Sequence, residues 1–191
     1  MHNSESHDRR PYVPTSAEME ERYRSSDQVW SGNPNATLVD YTAGLTPGSA
    51  LDIGCGEGAD ALWLKNQGWQ VLGIDFAPTA VARTRERGVE AQVATFSSFS
   101  HTPFDLVSVH YGGVRATAEE AQRLERLVAP GGTLLFVHHE VESAELAMPE
   151  WLAENLRELE VITLTRRARH VSEGAGAHHR NDVILVAKRA G

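Results

Sequence analysis

The chain has 191 residues, 41% of them hydrophobic and 23% charged, and a formal net charge of −8. That length favours one domain, and no apolar run reaches the roughly 18 to 20 residues that cross a bilayer. A phosphate backbone is held by clustered Lys and Arg, so the acidic balance argues against nucleic acid as a partner. The charge is uneven: after residue 160, Arg166, Arg167, Arg169, Arg180, Lys188 and Arg189 face only Glu173 and Asp182, which leaves −12 on the first 160 residues. Cys55 is the sole cysteine, which excludes an internal disulfide and any multi-cysteine metal site and fits a reducing cytoplasm. Residues 1–14 lack the apolar core of a secretory signal and read as a polar, mobile leader without export function. Residues 15–191 read as one domain.

In chain order, residues 16–24 (SAEMEERYR) suit a helix with Ser16 as N-cap and acids in the first turn. Residues 36–44 suit a second helix closed by a glycine. Residues 50–53 form a short buried-strand run into a glycine cluster, followed by a helix over 59–67 stopped by Gly68 and a second strand over 70–74. Pro78 suits the first position of a helix that ends by Gly88, and 89–96 (VEAQVATF) alternates as a strand does. A fourth strand is expected over 104–110, a helix over 117–128 stopped by Pro130 and Gly131, and a fifth strand over 133–139. Residues 161–171 and 181–188 are two strand-like runs with no helix between them, expected to form an antiparallel hairpin. Alternating strands and helices imply a mostly parallel sheet with helices on both faces and a ligand site at the carboxyl ends of the strands.

The sharpest local signal is the run Leu51-Asp-Ile-Gly-Cys-Gly-Glu-Gly58, a strand entering Gly54, Gly56 and Gly58 before a helix. Glycine suits backbone that must turn sharply and admit a ligand closely. Asp75 ends the second strand 19 residues beyond Gly56, where an acid that accepts ribose hydroxyls is expected in nucleotide-binding folds. The lesser alternative is that Asp75 caps the helix beginning near Pro78. Asp52 interrupts an apolar strand, and a buried carboxylate there needs hydrogen-bond partners such as the glycine loop.

LDIGCGEG, with VLGID, FDLVSVHY and LVAPGGTLLFV after it, resembles the class I S-adenosylmethionine (SAM) dependent methyltransferases over roughly residues 36–190. The resemblance implies a Rossmann-like α/β fold, a seven-stranded sheet in the order 3-2-1-4-5-7-6 with strand 7 antiparallel, and SAM as cofactor. Residues 21–35 (ERYRSSDQVWSGNPN) further resemble small bacterial methyltransferases of the tellurite-resistance and thiopurine-methyltransferase-like group. By this resemblance Gly54, Cys55, Gly56 and Gly58, with Asp52 behind them, border the methionine part of SAM. Asp75 takes the ribose hydroxyls, Phe76 lies along the adenine, and Tyr23 and Trp30 close over the cofactor as a helical lid. Many such enzymes carry an acid at the end of strand 3, whereas this chain has Thr95, Phe96 and Ser97, which would contact adenine through backbone or hydroxyl groups.

Methyl transfer from a sulfonium starts from an activated electrophile, so much of the rate can come from holding two reactants in line. A general base is needed only for a protonated acceptor. His110, ending strand 4, is the candidate by position and pKa class, with a pocket-lining role as the plainer reading. Tyr111 and Arg115 follow in the same loop and could orient an acceptor. The chain lacks an Asn/Asp-Pro-Pro-aromatic motif, which leaves a small molecule as the expected acceptor. Rival readings are a non-catalytic SAM-binding regulator and a nicotinamide-dependent oxidoreductase; with only Lys65 and Lys188 as lysines, the second lacks an obvious catalytic Tyr/Lys pair. The pairs His138-His139 and His178-His179 are expected at the same sheet edge as His110, with one member of each, His139 and His178, facing an acceptor. Their plainer reading is as solvated loop-end residues, and no metal is assigned.

Overall fold

The computed structural model describes residues 13–169 and 180–191. Most of the expected leader, and the pair His178-His179, lie outside the described residues. Helix α1 (Ser16–Arg24) is capped by Thr15, one residue before the expected Ser16, in a capping box with Glu18. Helix α2 (Ala36–Thr42) follows, then β1 (Ser49–Ile53), α3 (Ala59–Asn66), β2 (Gln70–Asp75), α4 (Pro78–Glu86) and β3 (Glu90–Val93). The second half holds β4 (Phe104–His110), α5 (Ala118–Arg126), β5 (Val128–His139), α6 (Pro149–Asn155), β6 (Leu159–Ala168) and β7 (Asn181–Arg189).

The seven strands lie in the order β3-β2-β1-β4-β5-β7-β6. β1 to β5 are parallel, and β7 inserts antiparallel between β5 and β6. The inner strands are buried on both faces, as crossover helices require. On one face Leu38 of α2, Leu64 of α3 and Trp69 pack on Ala50, Leu106, Leu135 and Ile184. On the other, Leu124 of α5 and Leu152 of α6 pack on Leu51, Val107, Leu134 and Leu185.

Three expectations are corrected. β3 ends at Val93, and residues Phe96–Ser98 form a single 3-10 turn: Phe96 is drawn into the core beside Phe99 and Phe104, a stronger pull than strand alternation. α5 stops at Arg126 because Val128 already pairs with Phe104, so the Ala129–Gly132 stretch lies within β5 as an irregularity rather than ending the helix. α6, seven residues long, forms where no helix is expected from the sequence; Pro149 at its first position is the local signal for it.

Parallel pairing of Ile53 with Ile74 and with Val109 sets the ends of β1, β2 and β4 side by side. The glycine loop, Asp75 and His110 therefore share one rim of the sheet, at the point where strand order reverses.

Candidate active site

The loop after β1 is shaped by backbone that only glycine adopts freely: φ is +52° at Gly56 and +83° at Gly58. A Cβ on Gly58 would also fall 2.7 Å from Thr84 Oγ1, so α4 can approach only a glycine. The amides of Gly54 and Cys55 both donate to Ile74 O, and Thr84 Oγ1 donates to Gly56 O at 2.9 Å. The Cys55 thiol is buried, and burial raises its pKa far enough to keep it a neutral thiol.

Asp75 Oδ2 accepts from the Gly56 amide and Oδ1 from the Ala77 amide, each at 2.9 Å. Each carboxylate oxygen keeps acceptor capacity for a ligand hydroxyl. Burial raises the Asp75 pKa against these two amide bonds. The adjoining Phe76 ring is exposed, 37% of its surface facing solvent. Asp52 is buried, and its Oδ2 atom has no hydrogen-bond partner; burial first, then the charges of Asp60 and Asp75, push its pKa up. An orphaned carboxylate oxygen beside a glycine cradle fits a ligand that brings a donor or a positive charge.

The segment from α1 to Asn35 covers this loop. Trp30 Nε1 donates to the Tyr23 hydroxyl at 2.8 Å, and a Cβ on Gly56 would lie 3.2 Å from that hydroxyl and 3.3 Å from Nε1. Burial raises the Tyr23 pKa, so the phenol stays protonated. Two acids from the loop region hold the segment down. Glu57, 4% exposed, accepts from the amides of Val29 and Trp30 and from Arg83 Nη1 at 2.8 Å. Asp60 accepts from the backbone and side-chain nitrogens of Asn35 at 2.7 and 2.8 Å. Neither acid, nor Arg83, figured among the sequence-derived candidates.

At the far end of β3, Thr95 and Ser97 are exposed and Phe96 is buried in the core. The Thr95 side chain accepts from the Ser98 amide, and Ser97 Oγ donates to Glu120 Oε1.

His110 lies across the rim from Asp75, with both ring nitrogens occupied. Nε2 is 2.8 Å from Thr37 Oγ1, Nδ1 is 3.2 Å from Ser108 Oγ, and Asp60 Oδ2 stands 3.7 Å from Nδ1. Burial lowers its pKa, partly offset by the Asp60 charge, which keeps the ring neutral. Tyr111 follows with φ +58°, a left-handed conformation that costs a non-glycine residue roughly 1 to 3 kcal/mol. Its hydroxyl donates to Asp182 Oδ2 at 2.7 Å, its ring stacks on His139 at 4.0 Å, and the Arg169 guanidinium sits 5.0 Å above it. Asp182 Oδ1 is also 3.1 Å from His139 Nδ1, and Arg169 Nε is 3.4 Å from Asp182 Oδ2. The fold thus brings Tyr111 and His139 together and joins them to Asp182 and Arg169. His138 is buried, its ring edge-on to Tyr111 at 6.2 Å and to His139 at 5.8 Å, with its pKa lowered to about 4 by desolvation. Arg115 is exposed, bridges Leu146 through its backbone and donates its amide to Glu120. Among the described residues no group of His, Cys, Asp and Glu is arranged to hold a metal ion, and no helix is long and apolar enough to cross a membrane.

A glycine cradle at a switch point, an acid ending β2 and an antiparallel β7 set between β5 and β6 define the fold of a class I SAM-dependent methyltransferase. The family described as "Methyltransferase domain" matches residues 28–172, and the chain belongs to it, with S-adenosylmethionine as cofactor. The chain is 29% identical over 136 residues to a ribosomal RNA small subunit methyltransferase C of Alcanivorax borkumensis, covering 64% of this chain and 41% of that protein. It is 33% identical over 121 residues to a 2-heptyl-1-hydroxyquinolin-4(1H)-one methyltransferase of Mycobacteroides abscessus, covering 56% of this chain and 53% of that protein. The chain therefore spans about half the length, or less, of these relatives. Among solved structures, the N-methyltransferase NodS of Bradyrhizobium japonicum, bound to S-adenosylhomocysteine, shares the fold with a TM-score of 0.73 at 18% identity, covering 93% of this chain and all of that one.

Proposed function

We propose that this chain transfers a methyl group from SAM to a small-molecule acceptor bound beside the carboxyl ends of β4, β5 and β7. The observation that carries the acceptor class is the half-buried network of Tyr111, His139 and Arg169 around the buried Asp182. It builds a compact, ordered wall rather than an open basic surface, and it spends the Arg169 charge on Asp182. Outside it, Arg166 pairs with Glu140 and Glu150, Arg167 with Asp40, and Arg189 with Glu158. Those pairings leave the basic C-terminal region with little charge to offer a phosphate backbone. The hydroxyquinolone-methylating relative supports the same class.

Bound SAM supplies an activated methyl group, and the chain contributes placement. Gly54, Cys55, Gly56 and Gly58 bring backbone close to the methionine part, and Asp52 offers its unpartnered oxygen to a donor there. Asp75 takes the ribose hydroxyls with its remaining lone pairs, and the exposed Phe76 ring forms one wall of the adenine site. Thr95, Phe96 and Ser97 border that site through the backbone of their 3-10 turn. Tyr23 and Trp30 exclude water above Gly56. Tyr111, His139 and Arg115 orient the acceptor, and His178 is proposed for the same side. For an acceptor that arrives protonated, neutral His110 takes the proton at a ring nitrogen, through the Thr37 hydroxyl that occupies Nε2 or the Ser108 hydroxyl at Nδ1.

A screen with methyl-labelled SAM tests the reading. Transfer to small thiols, phenols or N-hydroxy heterocycles, with none to ribosomal RNA, is the expected result. Transfer to RNA alone would assign the acceptor to the class named for the Alcanivorax relative, and binding of SAM without any transfer would leave a non-catalytic SAM-binding protein.

A further inference from the structure

Glu57 occupies the middle of the glycine loop, yet its carboxylate turns away from the cradle toward the covering segment. Three donors converge on it: the Val29 amide at 3.0 Å, the Trp30 amide at 3.0 Å and Arg83 Nη1 at 2.8 Å. The same guanidinium reaches in the other direction, with Nη2 donating to Tyr23 O at 2.7 Å and to Ser26 O. One ion pair therefore ties the end of α1, the 25–30 loop, the glycine loop and α4 at a single point. A charged group with so little exposure is tolerated only when it is fully paired, so the carboxylate holds the covering segment strongly in place. Glu57 also lies between Gly56, whose missing Cβ leaves the space under Tyr23 and Trp30, and Gly58, which locks against Thr84. The loop cannot shift without moving the anchor of its own cover.

We propose that Glu57 and Arg83 are positioning residues for the cofactor site: their ion pair latches Tyr23 and Trp30 over the glycine loop and ties closure of the cover to the shape of that loop. This rests on the SAM-binding reading above. The latch bears on the cofactor through the Tyr23 and Trp30 side chains that it holds over the loop, and its effect on affinity therefore shrinks once the Trp30 indole is gone, although the main-chain bonds to Glu57 and Arg83 remain. Coupled substitutions expose such a dependence through non-additivity.

The test combines amide exchange with binding of S-adenosylhomocysteine by calorimetry. Glu57→Gln keeps the shape and one acceptor oxygen but removes the charge. It is expected to speed exchange at the Val29 and Trp30 amides at least tenfold, to raise Kd for S-adenosylhomocysteine roughly tenfold, and to raise KM for SAM far more than it lowers kcat. In a Trp30→Ala background, where only Tyr23 is left for the latch to hold over the loop, the same change is expected to raise Kd by clearly less than tenfold. Arg83→Gln, made from the more exposed side of the pair, reproduces these effects if Glu57→Gln does not fold. Unchanged exchange and Kd in either variant would overturn the latch, as would a full tenfold loss in the Trp30→Ala background. Should the wild-type chain fail to bind S-adenosylhomocysteine, the functional reading falls, while exchange at Val29 and Trp30 in the free protein still decides the latch.

Discussion

The two halves of the sheet rim are built differently. On the β1-β2 side the walls are backbone: three glycines, amides bonded to Asp75, and an unpartnered Asp52 oxygen. On the β4-β5-β7 side the walls are side chains from four elements, joined by Asp182 to Tyr111, His139 and Arg169. Backbone geometry suits a ligand that never changes, whereas a side-chain network can be rewired by single substitutions. On the proposed assignment, the β1-β2 half is the fixed part of the site and the β4-β5-β7 half is where acceptor specificity would reside.

Substitutions on the two sides break this comparison in different measurable quantities. The largest expected effect is on catalysis: His110→Ala should lower kcat by roughly 10² to 10⁴ for an acceptor that must lose a proton, with a much smaller loss for one that is already anionic. Equal losses for both acceptor types would remove the proton-accepting role. Next, Asp182→Asn leaves Arg169 and the Tyr111 hydroxyl with a weaker buried partner, and should cost roughly 3 kcal/mol of stability in urea denaturation while leaving SAM affinity near wild type. A change in SAM affinity as large as the loss of stability would erase the division between the halves. Asp75→Ala should weaken SAM binding by roughly 1.5 to 3 kcal/mol, the scale of hydrogen bonds to a charged group. Unchanged affinity in the folded variant would withdraw Asp75 from the ribose.

The pH dependence sharpens the contrast further. Burial lowers the pKa of His138 to about 4 against 6.5 for the unreacted side chain, so the unfolded chain binds the proton first. Its contribution to stability is whole above about pH 6.5 and is lost as pH falls toward 4, at roughly 1.4 kcal/mol per pH unit. Asp52 and Asp75, with raised pKa values, act in the opposite sense: their contribution is whole below their unfolded value and is lost as pH rises. The difference between wild type and His138→Gln isolates the histidine, and parallel stability curves for the two proteins between pH 7 and 5 would contradict the assignment. Smallest is Thr15→Ala, which opens the capping box of α1 and should cost about 1 kcal/mol, read as faster amide exchange in the first turn of α1 with the sheet unaffected.

The same contrast governs what the sequence reveals. The glycine loop and Asp75 are legible because their chemistry is carried by adjacent residues and a strand-helix-strand spacing. Sheet order followed from the family resemblance and from the missing helix between β6 and β7. Glu57 was in plain view within the motif, yet its partners, Val29, Trp30 and Arg83, are 26 to 28 positions away, and no local pattern encodes that convergence. Asp182 carried a faint signal, an acid opening an otherwise apolar strand. Its meaning depends on the pairing of β7 with β5, which sets Asp182 against His139. Phe96 misled for the opposite reason: its place in the alternation suggested a strand, and the core claimed it for a turn.

The central claim is that the glycine loop and its cover form a SAM site. Calorimetric titration of the purified chain with SAM, S-adenosylhomocysteine and NADH tests it most directly. The account predicts micromolar binding of the first two, with slowed amide exchange from Met19 to Trp30 on binding, and no heat from NADH; binding of NADH in preference to SAM, or no binding of SAM by the folded protein, would contradict it.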